Sequence, residues 1–125
     1  MGESVEKPDL YYENNVAGTL SLLAAMKAAE VKKIIFSSTC ATYAELKNPE
    51  PLTELHAQDP ISPYGRSKLM CEQIMRDYCA TLGFSAVIFR YFNASGADPE
   101  NEFGEDHVPE THLVPLAIRA ALENR

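Results

Sequence analysis

Two short, uninterrupted apolar runs constrain the fold of this chain more than any other feature: Ile34-Ile35-Phe36 and Ala86-Val87-Ile88-Phe89. Runs without polar alternation read as strands buried on both faces of a parallel sheet. The segment before the second run carries helix signals at both ends. Ser62 is placed as an N-cap, Pro63 as the first helical residue and Gly83 as the stop. Between them Met70, Cys71, Ile74, Met75, Tyr78, Cys79 and Leu82 recur at helical spacing. A strand, a long helix and a second strand imply a right-handed βαβ unit.

The flanks extend the alternation. Pro8-Asp9 opens a helix over about residues 9–29, with Leu10, Val16, Leu20, Leu23 and Met26 as its apolar stripe. Residues 39–62 read as a loop punctuated by Pro49, Pro51 and Pro60. A second loop, 93–110, is rich in Gly, Asp, Glu and Pro. Thr111 is expected to cap a last helix reaching about residue 124. The fold class expected is α/β, a partial Rossmann-like doubly wound parallel sheet. Two strands do not complete such a sheet, which holds about six. No Gly-x-Gly-x-x-Gly occurs anywhere in the chain. The expectation is therefore an internal fragment: the central and C-terminal part of a dinucleotide-binding domain, with 93–125 leading into a substrate-binding region.

Charge narrows the function. The formal net charge of −7 and the lack of a basic stripe argue against nucleic acid, whose phosphates need clustered Lys and Arg. The longest mostly apolar stretch, Val16 to Val31, is interrupted by Lys27 and Glu30 and is too short to span a membrane. The opening Met1-Gly2-Glu3-Ser4 shows neither the basic nor the apolar region of a signal peptide. Cys40, Cys71 and Cys79 have no framework spacing. They read as reduced thiols of a cytoplasmic protein, with Cys71 and Cys79 packing on one helix.

The chemistry centres on Tyr64 and Lys68. The Tyr-x-x-x-Lys spacing alone is weak, since Tyr43 and Lys47 repeat it in a loop ahead of Pro49 and Pro51, where no helix can hold the pair. Tyr64 instead lies in the first turn of the strongest helix, so Lys68 falls on the same face. A free tyrosine titrates near pH 10, which puts its phenolate about 4 kcal/mol uphill at pH 7. An ammonium about 4 Å away, at an effective dielectric near 20, is worth about 4 kcal/mol. Such a pair can act as a general base on a sugar hydroxyl. The first apolar run leads into Ser37-Ser38-Thr39, and the second into Arg90-Tyr91-Phe92-Asn93. In open α/β sheets ligands bind at such carboxyl ends.

These stretches carry a resemblance. Tyr11-Tyr12-Glu13-Asn14-Asn15-Val16, Phe36-Ser37-Ser38-Thr39, Ser62-Pro63-Tyr64-Gly65-Arg66-Ser67-Lys68, Arg90-Tyr91-Phe92-Asn93 and Pro109-Glu110-Thr111-His112-Leu113 are collinear across nearly the whole chain. Together they resemble the extended short-chain dehydrogenase/reductase family, and within it the UDP-glucose 4-epimerases. The resemblance implies NAD as cofactor and a UDP-sugar as substrate. It implies transient oxidation at sugar C4, turning of the 4-keto sugar, and return of hydride to its other face. Tyr64 is then the acid and base, Lys68 tunes it and bonds the nicotinamide ribose, and Thr39 touches the sugar 4-hydroxyl. Asn14 and Phe92 match cofactor-contacting positions, and Asn93, His112 and Leu113 match positions that hold UDP. A homodimer built on the helices at 9–29 and 63–82 is implied in the same way.

Departures and alternatives follow from the same residues. Ala44 and Glu30 stand where the family usually has Gly, so strain is expected at Ala44. A 4,6-dehydratase would carry an acidic pair after the threonine, where Cys40 and Ala41 stand. Another nucleotide-sugar enzyme of the family, or a non-catalytic remnant, are the other readings. The chain alone is expected to be inactive, because the pyrophosphate needs a glycine-rich loop at a helix N-terminus. No metal is expected: His107 and His112 are five apart with Pro109 between them, and the acidic stretch from Asp98 lacks the Gly and Glu of a calcium loop.

Overall fold

A computed structural model of the chain describes residues 2–45, 50–100 and 102–123. Lys47 and Pro49, which entered the comparison with Tyr43, lie outside the described residues. The chain divides into two compact units, Met1–Tyr91 and Phe92–Arg125.

The first unit opens with α1 (Gly2–Glu6) and α2 (Pro8–Tyr11), followed by a π-helical stretch, Tyr12–Ala17, and α3 (Gly18–Ala28). The single helix expected over 9–29 is thus continuous in path but not in type. A π turn holds one residue more than an α turn, which rotates the apolar stripe by about 100°. Of the expected stripe, Leu23 is fully buried, while Leu10 and Leu20 are exposed. The helix ends at Glu30, whose φ is 58°. The Glu30 amide donates to Lys27 O at 3.2 Å and the Val31 amide to Met26 O at 2.9 Å. That is the left-handed stop that favours glycine, taken here by a side chain at a cost of about 1–2 kcal/mol. Ala44 shows no such strain. Among the described residues Glu30 is the one non-glycine with positive φ, and the Ala44 amide bonds Ala57 O at 2.9 Å.

Strand β1 (Lys33–Thr39) runs into a 3-10 turn, Cys40–Thr42, and the loop beyond it leads to α4 (Pro63–Leu82) and β2 (Ser85–Tyr91). The limits of α4 are those its caps require. Ser62 Oγ accepts from the Gly65 amide at 3.1 Å, and Gly83 turns left-handed at φ 68°. The strands pair in parallel from Lys33↔Ser85 to Thr39↔Tyr91. Both are longer than their apolar runs, so Ser37, Ser38 and Thr39 belong to the strand itself.

Leu23, Met75 and Phe84 form the core, packed by Ile34, Phe36, Ala86 and Ile88 from one sheet face and by Ile74, Tyr78 and Leu82 from α4. Burying each large apolar side chain contributes about 1.5–3 kcal/mol. The opposite sheet face, with Ile35, Val87 and Phe89, is exposed. Burial on both faces, expected from the apolar runs, is therefore met on one face only. On α4, Met70 is exposed, whereas the polar Ser67 and Glu72 are fully buried.

The second unit holds α5 (Leu113–Leu122). Its N-cap is His112, not Thr111. The Glu110 carboxylate accepts from the Thr111 and His112 amides, both at 2.7 Å. These amides precede α5, whose first turn has no side-chain cap, and the carboxylate placed just before the helix N-terminus is favoured by the helix dipole.

Candidate active site

Of the expected site residues, Thr39, Tyr64 and Lys68 gather where β1 ends against the first turns of α4. The approach is close because of Gly65: a Cβ there would collide with the Ala41 carbonyl and Pro60. The turn after Thr39 thereby lies against the turn that carries Tyr64.

Tyr64 is half-buried. Its ring meets that of Tyr11 edge-on, with centroids 5.9 Å apart. The Tyr11 hydroxyl donates to Glu3 Oε2 at 3.0 Å, and that bond raises the Tyr11 pKa. Tyr11 is thus a direct neighbour of Tyr64. Lys68 follows one turn after Tyr64 on the same face. Its Nζ donates to Ser37 O at 3.0 Å and lies 4.9 Å from the centroid of the Phe36 ring. Burial lowers its pKa below the ordinary lysine value.

Thr39 is buried. Its Oγ1 accepts from the Ala41 amide at 3.2 Å, and its carbonyl accepts from Thr42 Oγ1 at 3.0 Å. The hydroxyl proton is not used as a donor in either bond. Asn14 is exposed on the π-helical stretch. With Glu3, Leu10, Tyr11 and Asn15 it lines a cleft of about 220 Å³.

Two buried polar groupings had no place in the sequence reading. In one, Asn15 Nδ2 donates to Ser67 Oγ at 2.9 Å, and Ser67 Oγ donates to Tyr64 O at 2.8 Å. The Cys71 thiol donates to Asn15 O at 3.2 Å. It also accepts from Thr19 Oγ1 at 3.4 Å. The π-helical stretch is thus bonded to the backbone of the turn that carries Tyr64. In the other, Glu72 accepts from Ser38 Oγ at 2.6 Å and from Arg90 Nη2 at 2.7 Å. Burial would raise its pKa, but the bonds from Arg90, Ser38 and Gln58 outweigh it and hold the carboxyl below its usual value. A signal for both existed: Ser67 and Glu72 are polar residues on the side of α4 that turns inward.

The remaining expected site residues lie in the second unit. Phe92, Asn93 and His112 line one pocket of about 400 Å³, together with Glu105, His107 and Pro115. Leu113 is the first residue of α5 and is exposed. The spacing of His107 and His112 does not keep them apart: their ring centroids are 4.8 Å from each other. Glu105 Oε1 lies 3.6 Å from His107 Nδ1 and 3.0 Å from His112 Nδ1. These three exposed side chains could jointly contact a cation.

The NAD dependent epimerase/dehydratase family matches residues 1–125. The UDP-glucose 4-epimerase of Rhizobium meliloti (strain 1021) is 55% identical over 125 residues, 100% of this chain and 38% of that protein. The crystal structure of UDP-glucose 4-epimerase from Brucella ovis in complex with NAD is 51% identical, with a TM-score of 0.88 over 100% of this chain and 38% of that one. UDP-glucose 4-epimerase from Bifidobacterium longum in complex with NAD+ and UDP is 48% identical, with a TM-score of 0.77 over 84% of this chain and 32% of that one. The chain thus spans well under half the length of these relatives.

Proposed function

The chain belongs to the NAD dependent epimerase/dehydratase family, and from that membership we propose that it supplies the catalytic segment of a UDP-glucose 4-epimerase, interconverting UDP-glucose and UDP-galactose in galactose metabolism. The observation that carries this reading is the seating of Lys68, whose ammonium is bonded to Ser37 O at the end of β1 while Tyr64 stands one turn away on α4.

As the phenolate, Tyr64 takes the proton from the sugar 4-hydroxyl, and as the phenol so formed it gives the proton back when the sugar is reduced. Lys68 holds a positive charge on the same helix face. Thr39, with its hydroxyl proton still available, bonds the sugar oxygen. NAD, when bound, supplies reversible hydride acceptance at C4. The chain's residues fit the nicotinamide-ribose end of that cofactor. Lys68 carries three protons and gives one to Ser37 O, and Asn14 is exposed beside Tyr11. Phe92 is assigned to the same cofactor. Asn93, His112 and Leu113 are assigned to UDP.

No segment of the chain has the glycine-rich pattern for the pyrophosphate, so the 125-residue chain by itself is expected to show no turnover of UDP-galactose. A homodimer through α3 and α4 belongs to the proposal, supported by the exposed Leu20, Leu22 and Met70. Cytoplasmic placement is supported by the three free cysteines. No helix among the described residues is long and apolar enough to cross a membrane, and the net charge of −7 speaks against nucleic acid.

The test replaces the matching segment of the Rhizobium meliloti enzyme with residues 1–125. The graft should convert UDP-galactose to UDP-glucose, and Tyr64→Phe should lower kcat about a hundred- to ten-thousandfold. An unchanged rate would remove Tyr64 from the chemistry.

A further inference from the structure

The groups that would touch substrate do not explain why α4 buries a carboxylate. Glu72 has no exposed surface. Its oxygens accept from Ser38 Oγ at 2.6 Å, Gln58 Nε2 at 3.2 Å, Arg76 Nη2 at 3.2 Å and Arg90 Nη2 at 2.7 Å. Arg90 Nη1 continues to the Tyr43 hydroxyl at 2.8 Å, and its guanidinium lies over the Tyr43 ring. Burying such a charged network is costly, and apolar residues of the same volume would commonly serve stability as well or better. The identity of what it joins is informative. Ser38 is the penultimate residue of β1, Gln58 and Tyr43 belong to the segment between β1 and α4, and Arg90 is the penultimate residue of β2.

We propose that Glu72, with Ser38 and Arg90, is a positioning clamp that sets the Thr39 end of β1 against Tyr64 and Lys68. The geometry is that of two ties on adjacent residues. Lys68 and Glu72 are one turn apart on α4, and they bond Ser37 O and Ser38 Oγ in turn. One tie would leave a hinge about which the strand end could swing. Two ties fix both its distance and its rotation relative to the helix, and Thr39 is the next residue. Arg90 anchors the same carboxylate to the neighbouring strand, so both carboxyl ends of the sheet are held to the helix at one point. Small errors of placement are expensive in such a site: a shift of about 1 Å can cost about a hundredfold in rate. None of the three residues needs to touch substrate. They act through Thr39 and Lys68.

This inference rests on the epimerase reading above, and the same graft separates the two. Ser38→Ala cuts the tie to β1 while leaving Glu72 with Arg90 and Gln58, so the fold is retained. It should lower kcat about tenfold with KM for UDP-galactose within about twofold. Ser38→Thr, which keeps the hydroxyl, should return kcat to within about twofold of the unsubstituted graft. Glu72→Gln should slow the graft at least as much as Ser38→Ala. The clamp is overturned if Ser38→Ala turns over at the unsubstituted rate, if Ser38→Thr is as slow as Ser38→Ala, or if the loss of rate only mirrors a loss of folded protein. A graft that is inactive, or indifferent to Tyr64→Phe, overturns the epimerase reading and the clamp with it. An active graft that needs Tyr64 but not Ser38 overturns the clamp alone.

Discussion

The two units of the chain are held together in different ways. Up to Tyr91 the chain closes around Leu23, Met75 and Phe84, and its buried polar side chains find partners far away in sequence: Asn15 with Ser67, Ser38 with Glu72, Tyr43 with Arg90. From Phe92 onward none of the described residues is buried. The contacts there are short-range and polar, such as Glu110 on the Thr111 and His112 amides and Asp98 on the Glu102 amide. A side chain fixed by several distant partners loses freedom that a neighbour-to-neighbour bond leaves intact. Proton transfer needs the first kind of support, because rate is sensitive to placement. Gripping a flexible nucleotide tolerates the second. On the proposed function, this contrast matches chemistry in the first unit and nucleotide recognition in the second.

The sharpest way to break this contrast is to remove its largest buried charge. Glu72→Ala leaves Arg90 uncompensated, with its side chain only 12% exposed. It should destabilise the first unit by about 3–5 kcal/mol, read as a fall in the urea midpoint of the chain. Glu110→Ala in the second unit should leave that transition nearly unmoved, and equal losses would erase the distinction.

Acid titration probes the same carboxyl. Its folded pKa is held low by Arg90, Ser38 and Gln58 against the effect of burial. The stability it contributes is present above the unfolded carboxyl value of about 4.3 and disappears as pH falls through the lower folded value. Glu72→Gln should flatten the urea midpoint over that acid window; an unchanged slope there would show that the network carries no net charge coupling.

Next in size, His112→Ala in the graft should raise KM for UDP-galactose about tenfold while kcat stays within about threefold. A fall in kcat alone would place His112 with the chemistry. The smallest expected effect is at the α3 stop. Glu30→Gly relieves a left-handed backbone at φ 58° and should raise stability by about 0.5–1 kcal/mol. A loss instead would show that the Glu30 side chain makes up for its strain.

What could be read from the residues in order was what neighbouring residues decide. Ser62, Pro63 and Gly83 bound α4 because a cap is a bond between residues three or four apart. The apolar runs placed β1 and β2 because a parallel strand must bury its middle. Tyr64 and Lys68 share a face because a helix repeats every 3.6 residues. The collinear motifs then named the family that matches residues 1–125. Tertiary structure decided everything that needed a distant partner. The π-helical stretch at Tyr12–Ala17 has no local signature, and its Asn15 finds Ser67 52 positions away. Glu72 lies on the inward side of α4, but only the tertiary structure brings Ser38, 34 positions earlier, and Arg90 to it in the interior. Leu20 and Met70, apolar by type, stayed exposed because nothing in the described structure covers them. Local bonding fixes where elements start and stop. Only the packing of one element on another decides which polar side chains are worth burying.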